Sequence, residues 1–249
     1  MSTTPNNPAH PAQDRLPMTL PRIAEKRRLG QPIVMVTAYD HPSARGAEEA
    51  GVDMVLVGDS AAMTVLGYDS TVPVSVDELL MLAAAVRRGL RTPLLVGDLP
   101  FGSYEGSDEQ AIATAQRFVK EAGCDAVKLE GGGTSVQRAK AIVGAGIPVM
   151  GHIGLTPQTA TALGGYRAQG RTASRAVELV WDALDLQKAG CFSMVFEAIP
   201  AAVTEELMRR LNEVAPEGIS ITAARRIDDQ EPGLAKLVKA AEYVIRAEQ

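Results

Sequence analysis

The sequence has little cysteine, no run of basic residues and no long apolar stretch, and each shortage removes a class of function. Cys124 and Cys191 are the only cysteines in 249 residues. Two thiols are too few for a disulfide framework and fit a reducing, cytoplasmic setting in which both pack as bystanders. The formal net charge is -5 and the pI is near 5.3, without any Lys/Arg cluster. That balance argues against nucleic acid or an anionic membrane as the main partner and leaves a small molecule. No apolar segment approaches the roughly 20 residues that span a bilayer. The polar, proline-bearing start Met1–Pro17 lacks the hydrophobic centre of a signal peptide. It is expected to be a flexible tail ahead of one domain covering 18–249.

What is present is an alternation. Short β-rich runs recur at Ile33–Thr37, Met54–Val57, Leu94–Val96, Ala126–Leu129, Val149–Ile153 and Met194–Phe196. Helical patterns separate them at Ser43–Ala50, Val76–Arg88, Glu109–Ala122, Ser135–Ala145 and Ala173–Ala189. Glycines 51, 123, 146 and 190 follow these helices, where the left-handed helix-ending conformation is needed. Repeated strand–helix units permit an open doubly wound sheet or a closed barrel. Neither GxGxxG nor GxxxxGK[ST] occurs, so the phosphate-binding signature of an open nucleotide fold is missing. A length of 249 residues suits one α/β barrel, and a (β/α)8 barrel is the expected fold class.

Barrel enzymes place their chemistry where strands end. Here the second strand runs into Gly58-Asp59-Ser60, the third into Gly97-Asp98-Leu99 and the fourth carries Lys128-Leu129-Glu130. The fifth ends in Gly151-His152-Ile153-Gly154 and the sixth in Glu197. Asp59, Asp98 and Glu130 would converge as hard oxygen ligands suited to Mg2+. The alternative is that each carboxylate caps the next helix. Lys128 and Glu130, two apart on a strand, share a face. The lysine then either binds a substrate oxygen or pairs with Glu130. His152 is open to a metal, a hydrogen-bonding or a core role, with hydrogen bonding near substrate preferred. Glu197, at the end of an apolar strand, is a candidate general base or else a helix cap.

Several phrases together resemble the ketopantoate hydroxymethyltransferase family: Val36-Thr37-Ala38-Tyr39-Asp40, Leu56-Val57-Gly58-Asp59-Ser60, Met63 through Thr71, and Gly97-Asp98-Leu99-Pro100-Phe101. Val127 through Gly132, Gly151 through Gln158 and Gly164 through Arg171 continue the match in order, from about Met18 to Pro200. The resemblance implies a (β/α)8 barrel in a homo-oligomer, often a decamer. It implies transfer of a hydroxymethyl group from 5,10-methylenetetrahydrofolate to 3-methyl-2-oxobutanoate through a Mg2+-stabilised enolate, a step of pantothenate synthesis. Carried over residue by residue, it implies Asp59, Asp98 and Glu130 as metal positions. Substrate contacts then fall on Asp59, Ser60, Asp98, Lys128 and His152, and the base on Glu197.

After Pro200 the family's expected phrases are missing. The chain has instead Ile219 through Ala224, Arg225-Arg226, an acidic turn and a segment from about Leu234 to Ala247 that reads as a helix. Seven strands are countable, so the barrel is expected to be incomplete or modified at its last units, from about residue 201. Two further readings stay open: a related Mg2+-dependent 2-oxo acid enzyme of the phosphoenolpyruvate mutase and isocitrate lyase kind, and an impaired relative that only binds or assembles.

Overall fold

The computed structural model describes residues 15–214, 223–226 and 242–246. The elements are α1 (Leu20–Arg28), β1 (Ile33–Thr37), α2 (His41–Ala50), β2 (Met54–Val57), α3 (Ala61–Thr64), α4 (Val76–Gly89), β3 (Leu94–Asp98) and α5 (Asp108–Ala122). They continue with β4 (Ala126–Lys128), α6 (Thr134–Gly144), β5 (Val149–Gly154), α7 (Ala173–Lys188), β6 (Ser193–Glu197), α8 (Ala201–Val214), β7 (Ala223–Arg226) and β8 (Glu242–Arg246). The strands close into a barrel in sequence order, and β1 to β7 are parallel.

The barrel is modified at its end, as the divergent last segment implies. β8 runs antiparallel to both neighbours, pairing Ile33 with Ile245 and Ala224 with Ile245 on its two sides. This corrects the helix expected over Leu234–Ala247: residues 242–246 are a strand, and 234–241 and 247 lie outside the described residues. A Tyr-Val-Ile core favours extended structure, and the open edges of β1 and β7 offer it a ladder on each side, which local helical patterning cannot register. Of the strand expected near Ile219–Ala224, residues 219–222 lie outside the described residues and Ala223 opens β7. Residues 1–14, most of the expected tail, lie outside them too, while the Arg15 guanidinium donates to the Glu48 carbonyl. Among the described residues no helix is long and apolar enough to cross a membrane.

The helices begin and end for local reasons. Ser75 and Glu78 form a reciprocal capping box at α4, and Ser107 and Thr172 cap α5 and α7. Gly51 and Gly123 close α2 and α5 at φ 76° and 71°, the conformation expected of them. Three elements were not anticipated: α1, the single turn α3, and α8, which buries Leu207, Met208 and Leu211. The side-chain amide of Gln187 on α7 ties down α8 by donating to the Leu211 carbonyl at 2.9 Å.

Strand parity sorts the core into two layers. Val55, Val57, Leu95, Val127, Val149 and Met194 join the helices in one large cluster. The alternate residues, Ile33, Met35, Met54, Leu56, Leu94, Val96, Ala126, Met150 and Val195, form a second cluster filling the lumen, with Ile23 of α1 packed into it. One step further along this inward parity come Asp98, Lys128, His152 and Glu197. The apolar lumen therefore gives way to ionisable side chains at the carboxyl ends of the strands.

Gly97 allows α5 to lie close against β3. A Cβ there would strike the Phe118 ring and approach the Cys124 sulfur at 2.9 Å. Gly97→Ala is expected to lower unfolding free energy in urea by about 1–3 kcal/mol through overpacking. Phe118→Leu in the same chain should restore part of that loss, and two additive losses would show that the ring is not the obstacle.

Candidate active site

Register explains the first contact. Asp98 on β3 and Lys128 on β4 are paired neighbours, and the Lys128 ammonium lies 2.7 Å from both oxygens of Asp98. Its distance to Glu130 is 3.8 Å, so its main partner is Asp98, and the pairing with Glu130 that spacing left open as one alternative is the longer contact. Lys128 is buried, which disfavours its charge, but Asp98, Glu130 and Asp59 outweigh that and push its pKa up.

Asp59 follows β2. Its backbone N–H donates to Asp98 Oδ2 at 3.1 Å, which brings the two carboxylates to one place. Burial, followed by the charge of Asp98, raises the Asp59 pKa to about 8. Lys128 pulls the other way without overcoming these two effects. Ser60 stands beside it, its hydroxyl 2.7 Å from that of Tyr39.

His152 on β5 lies between two acids. Nδ1 is 3.2 Å from Glu130 Oε1 and Nε2 is 3.3 Å from Glu197 Oε2, in both cases off the line of a good hydrogen bond. Burial lowers the basicity of the ring, but Glu130 and then Glu197 reverse this and raise its pKa to about 9. Burial likewise opposes the Glu130 charge, and the imidazolium overrides it, holding Glu130 below the usual range. The packed-core sense of His152 is met by its burial, and each ring nitrogen faces a carboxylate as a charge contact.

Glu197 closes β6 with its side chain 29% exposed, the most open acid of the group. Its backbone setting is tight. The Glu197 carbonyl accepts from Leu155 N–H at 2.8 Å, and a Cβ on Gly154, whose φ is 98°, would strike that carbonyl. The next residue, Ala198, is the non-glycine with positive φ (50°) among the described residues, a local strain of the kind found at working sites. The Ala198 carbonyl accepts from Gln169 N–H at 2.9 Å, which fixes the turn.

All six predicted site residues beyond Ser60 thus gather at one barrel mouth: Asp59, Asp98, Lys128, Glu130, His152 and Glu197. The helix-cap alternative does not describe Asp98 or Glu130, because α5 is capped by Ser107 and Gly133 occupies that position at α6. Two participants were missed: Tyr104 and Gln158, both buried, whose hydrogen bonds connect Glu130 to Asp59. Gln158 sits inside the Gly151–Gln158 phrase, but an amide there carries no chemical signature by itself. Cys124 and Cys191 are free and buried away from this chemistry, and burial pushes each thiol up to about 12.

As metal ligands the three acids are not arranged as one shell. Among the described residues no group of three or more His, Cys, Asp or Glu side chains is set to hold an ion, since Asp98 faces Lys128 and Glu130 faces His152. The donor chemistry still fits Mg2+, which takes one or two carboxylates and keeps water or substrate in its other positions. Asp59 and Asp98 are the pair joined closely enough to serve.

Because the raised His152 pKa belongs to the folded state, protonation of this ring stabilises the fold. The contribution is full below the unfolded value near 6.5 and is lost as pH rises through about 9. In protein stripped with chelator, the stability gap between parent and His152→Gln is expected to shrink over that window by up to about 3 kcal/mol. The imidazole NMR resonances should titrate near 9. A gap that stays flat from pH 6 to 10 would show a neutral ring.

Residues 17–239 match the family described as ketopantoate hydroxymethyltransferase. Among named relatives, 3-methyl-2-oxobutanoate hydroxymethyltransferase of Thermobifida fusca is 47% identical over 242 residues, covering 93% of this chain and 85% of that protein. The mitochondrial enzyme 1 of Arabidopsis thaliana is 53% identical over 208 residues, covering 82% of this chain and 60% of that one. The mitochondrial enzyme 1 of rice (Oryza sativa subsp. japonica) is 56% identical over 187 residues, with 75% and 51% covered. The chain therefore spans about half to three-fifths of these plant relatives. Among solved structures, 2,3-dimethylmalate lyase, a PEP mutase/isocitrate lyase superfamily member, matches with TM-score 0.60 at 16% identity, covering 88% of this chain and 76% of that one. Phosphonopyruvate hydrolase in complex with oxalate and Mg2+ matches with TM-score 0.60 at 14% identity and the same coverage. At these identities the likeness is one of fold. By its family match and its relatives, the chain belongs to the ketopantoate hydroxymethyltransferase family.

Proposed function

We propose that this chain transfers a hydroxymethyl group from 5,10-methylenetetrahydrofolate to 3-methyl-2-oxobutanoate, giving ketopantoate. The observation that carries this reading is the buried Asp59–Asp98–Lys128 group at the barrel mouth, with His152 leading from Glu130 to the more open Glu197. Asp59 and Asp98 would hold Mg2+, with Glu130 adding negative charge at the same end. When bound, Mg2+ supplies positive charge to the keto and carboxylate oxygens of the oxo acid and so acidifies its C3–H.

The protein's own groups divide the remaining work. The Lys128 ammonium, already fixed by Asp98, offers a further donor to a substrate oxygen without reorganising. Ser60, on the same turn as Asp59, offers a hydroxyl. Glu197 is the acid exposed enough to meet the substrate and takes the C3 proton onto a carboxylate oxygen. His152, 3.3 Å behind it, steadies that carboxylate and thereby its aim. The electron pair left at C3 forms the bond to the one-carbon unit of the folate as one of that carbon's two C–N bonds breaks; water replaces the other nitrogen and supplies the hydroxyl, and tetrahydrofolate leaves carrying the C3 proton and one proton from the water.

Incubation with Mg2+, 3-methyl-2-oxobutanoate and methylenetetrahydrofolate should yield ketopantoate, and chelation should stop it. Glu197→Gln is expected to retain oxo acid binding while slowing exchange of the C3 proton with D2O by roughly 10²–10⁴-fold. Exchange as fast as in the parent would move the base elsewhere. Oxo acid cleavage without folate would favour chemistry of the phosphoenolpyruvate mutase and isocitrate lyase kind.

A further inference from the structure

Asp59 is not held by its own strand: β2 ends at Val57, and the carboxylate lies two residues beyond, in the turn before α3. What holds its side chain comes from the other end of the mouth. Gln158, in the short 3-10 turn Pro157–Thr159 after β5, extends its amide to Asp59 Oδ2 at 2.9 Å and to the Leu99 carbonyl at 2.9 Å. The Leu99 carbonyl can only accept, so the Gln158 nitrogen must face it and the orientation of the amide is settled. The amide oxygen accepts from the Tyr104 hydroxyl at 2.7 Å. That hydroxyl accepts in turn from Glu130 N–H at 3.2 Å, and Gln158 N–H donates to Glu130 Oε2 at 3.1 Å. Gln158 and Tyr104 are 5% and 2% exposed, so water does not compete for these bonds.

We infer that Gln158, aligned by Tyr104, is a positioning residue that fixes the Asp59 carboxylate for the divalent cation, a role that rests on the functional reading above. The chain of donors runs one way, from Glu130 N–H through the Tyr104 hydroxyl and the Gln158 amide to Asp59. It occupies Oδ2 from the protein side, and among the described residues no donor reaches Oδ1, which remains the oxygen to offer. A partner of this kind behind a ligating carboxylate sets its rotamer before the ion arrives, and its loss commonly weakens metal binding about ten- to a hundred-fold. It also ties the segment after β5 to the ends of β2 and β3, so the two sides of the mouth are registered to each other through one amide.

The test uses Mn2+ as a paramagnetic probe, titrated into the full chain and followed by the EPR signal of the free ion, with Mg2+ calorimetry as the second measurement. Gln158→Met keeps the side-chain volume but removes every polar contact, and should weaken Mn2+ binding about ten- to a hundred-fold. Tyr104→Phe removes only the alignment of the amide and should weaken binding in the same direction by a smaller factor. In turnover the Mg2+ activation constant should rise more than kcat falls. A residue that serves packing alone would lower the melting temperature and leave the Mn2+ affinity of the folded variant unchanged. If Gln158→Met does not fold, Tyr104→Phe carries the comparison. A parent that binds Mn2+ through Asp59, with variants within twofold of it, overturns this inference alone. A parent without Asp59-dependent Mn2+ binding overturns the functional reading and this inference with it.

Discussion

The site is organised by a buried lysine. Lys128 leaves water on the inward face of β4, where an unpaired ammonium would be costly, and its two contacts of 2.7 Å to Asp98 make the position tenable. Asp59, whose backbone N–H bonds Asp98, makes no close ion pair of its own among the described residues, and burial, followed by the charge of Asp98, pushes its carboxyl up against the opposing pull of Lys128. Buried ion pairs add little stability over well-packed apolar side chains of the same volume. Three acids, a lysine and a histidine above an apolar lumen therefore make poor sense as a core. They make good sense as a place where charge is to be met.

The second half of the site depends on backbone geometry more than on charge. β5 and β6 pair from Met150 opposite Ser193 to Gly154 opposite Glu197, and this close approach requires a glycine at Gly154. Ala198 accepts an unfavourable left-handed turn directly after the proposed base, held by Gln169. Parity along β6 turns the Glu197 carboxylate inward to His152, and the chain leaves the strand at Ala198 immediately after it. The electrostatic half and the strained half meet at His152, which contacts Glu130 on one nitrogen and Glu197 on the other.

Six strands and five helices were legible because their signals are local: apolar runs, helical patterns and helix-ending glycines lie within a few residues of what they determine. The strand-end acids were legible for a related reason, since a polar residue after a buried strand stands out against its neighbours. β8 was not legible, because Glu242–Arg246 is extended through pairing with β1 more than two hundred residues earlier in the chain. The preference of Lys128 for Asp98 over Glu130 was equally hidden: spacing along β4 is visible in a sequence, whereas the register of β3 against β4 is not. Tyr104 and Gln158 escaped because their contribution is a hydrogen-bond path, assembled from 54 residues apart and chemically silent in either residue alone.

Fold and function separate at this point. Proteins 14–16% identical to this chain share its barrel, and a barrel of this kind accommodates many reactions through changes at its mouth. What narrows the choice is the order in which polar groups succeed the lumen's apolar layer. Asp98, Lys128, His152 and Glu197 all follow from one parity rule, and each stands two residues beyond Val96, Ala126, Met150 or Val195 in the packed interior. The apolar layer thus does more than stabilise the barrel. It anchors, from below, the strands whose last inward residues carry the proposed chemistry, so a defect in lumen packing is transmitted to those side chains as a change of position. For a reaction that depends on reacting groups held at near-attack distance, as the one proposed here does, that coupling would make the core of this barrel part of the candidate active site.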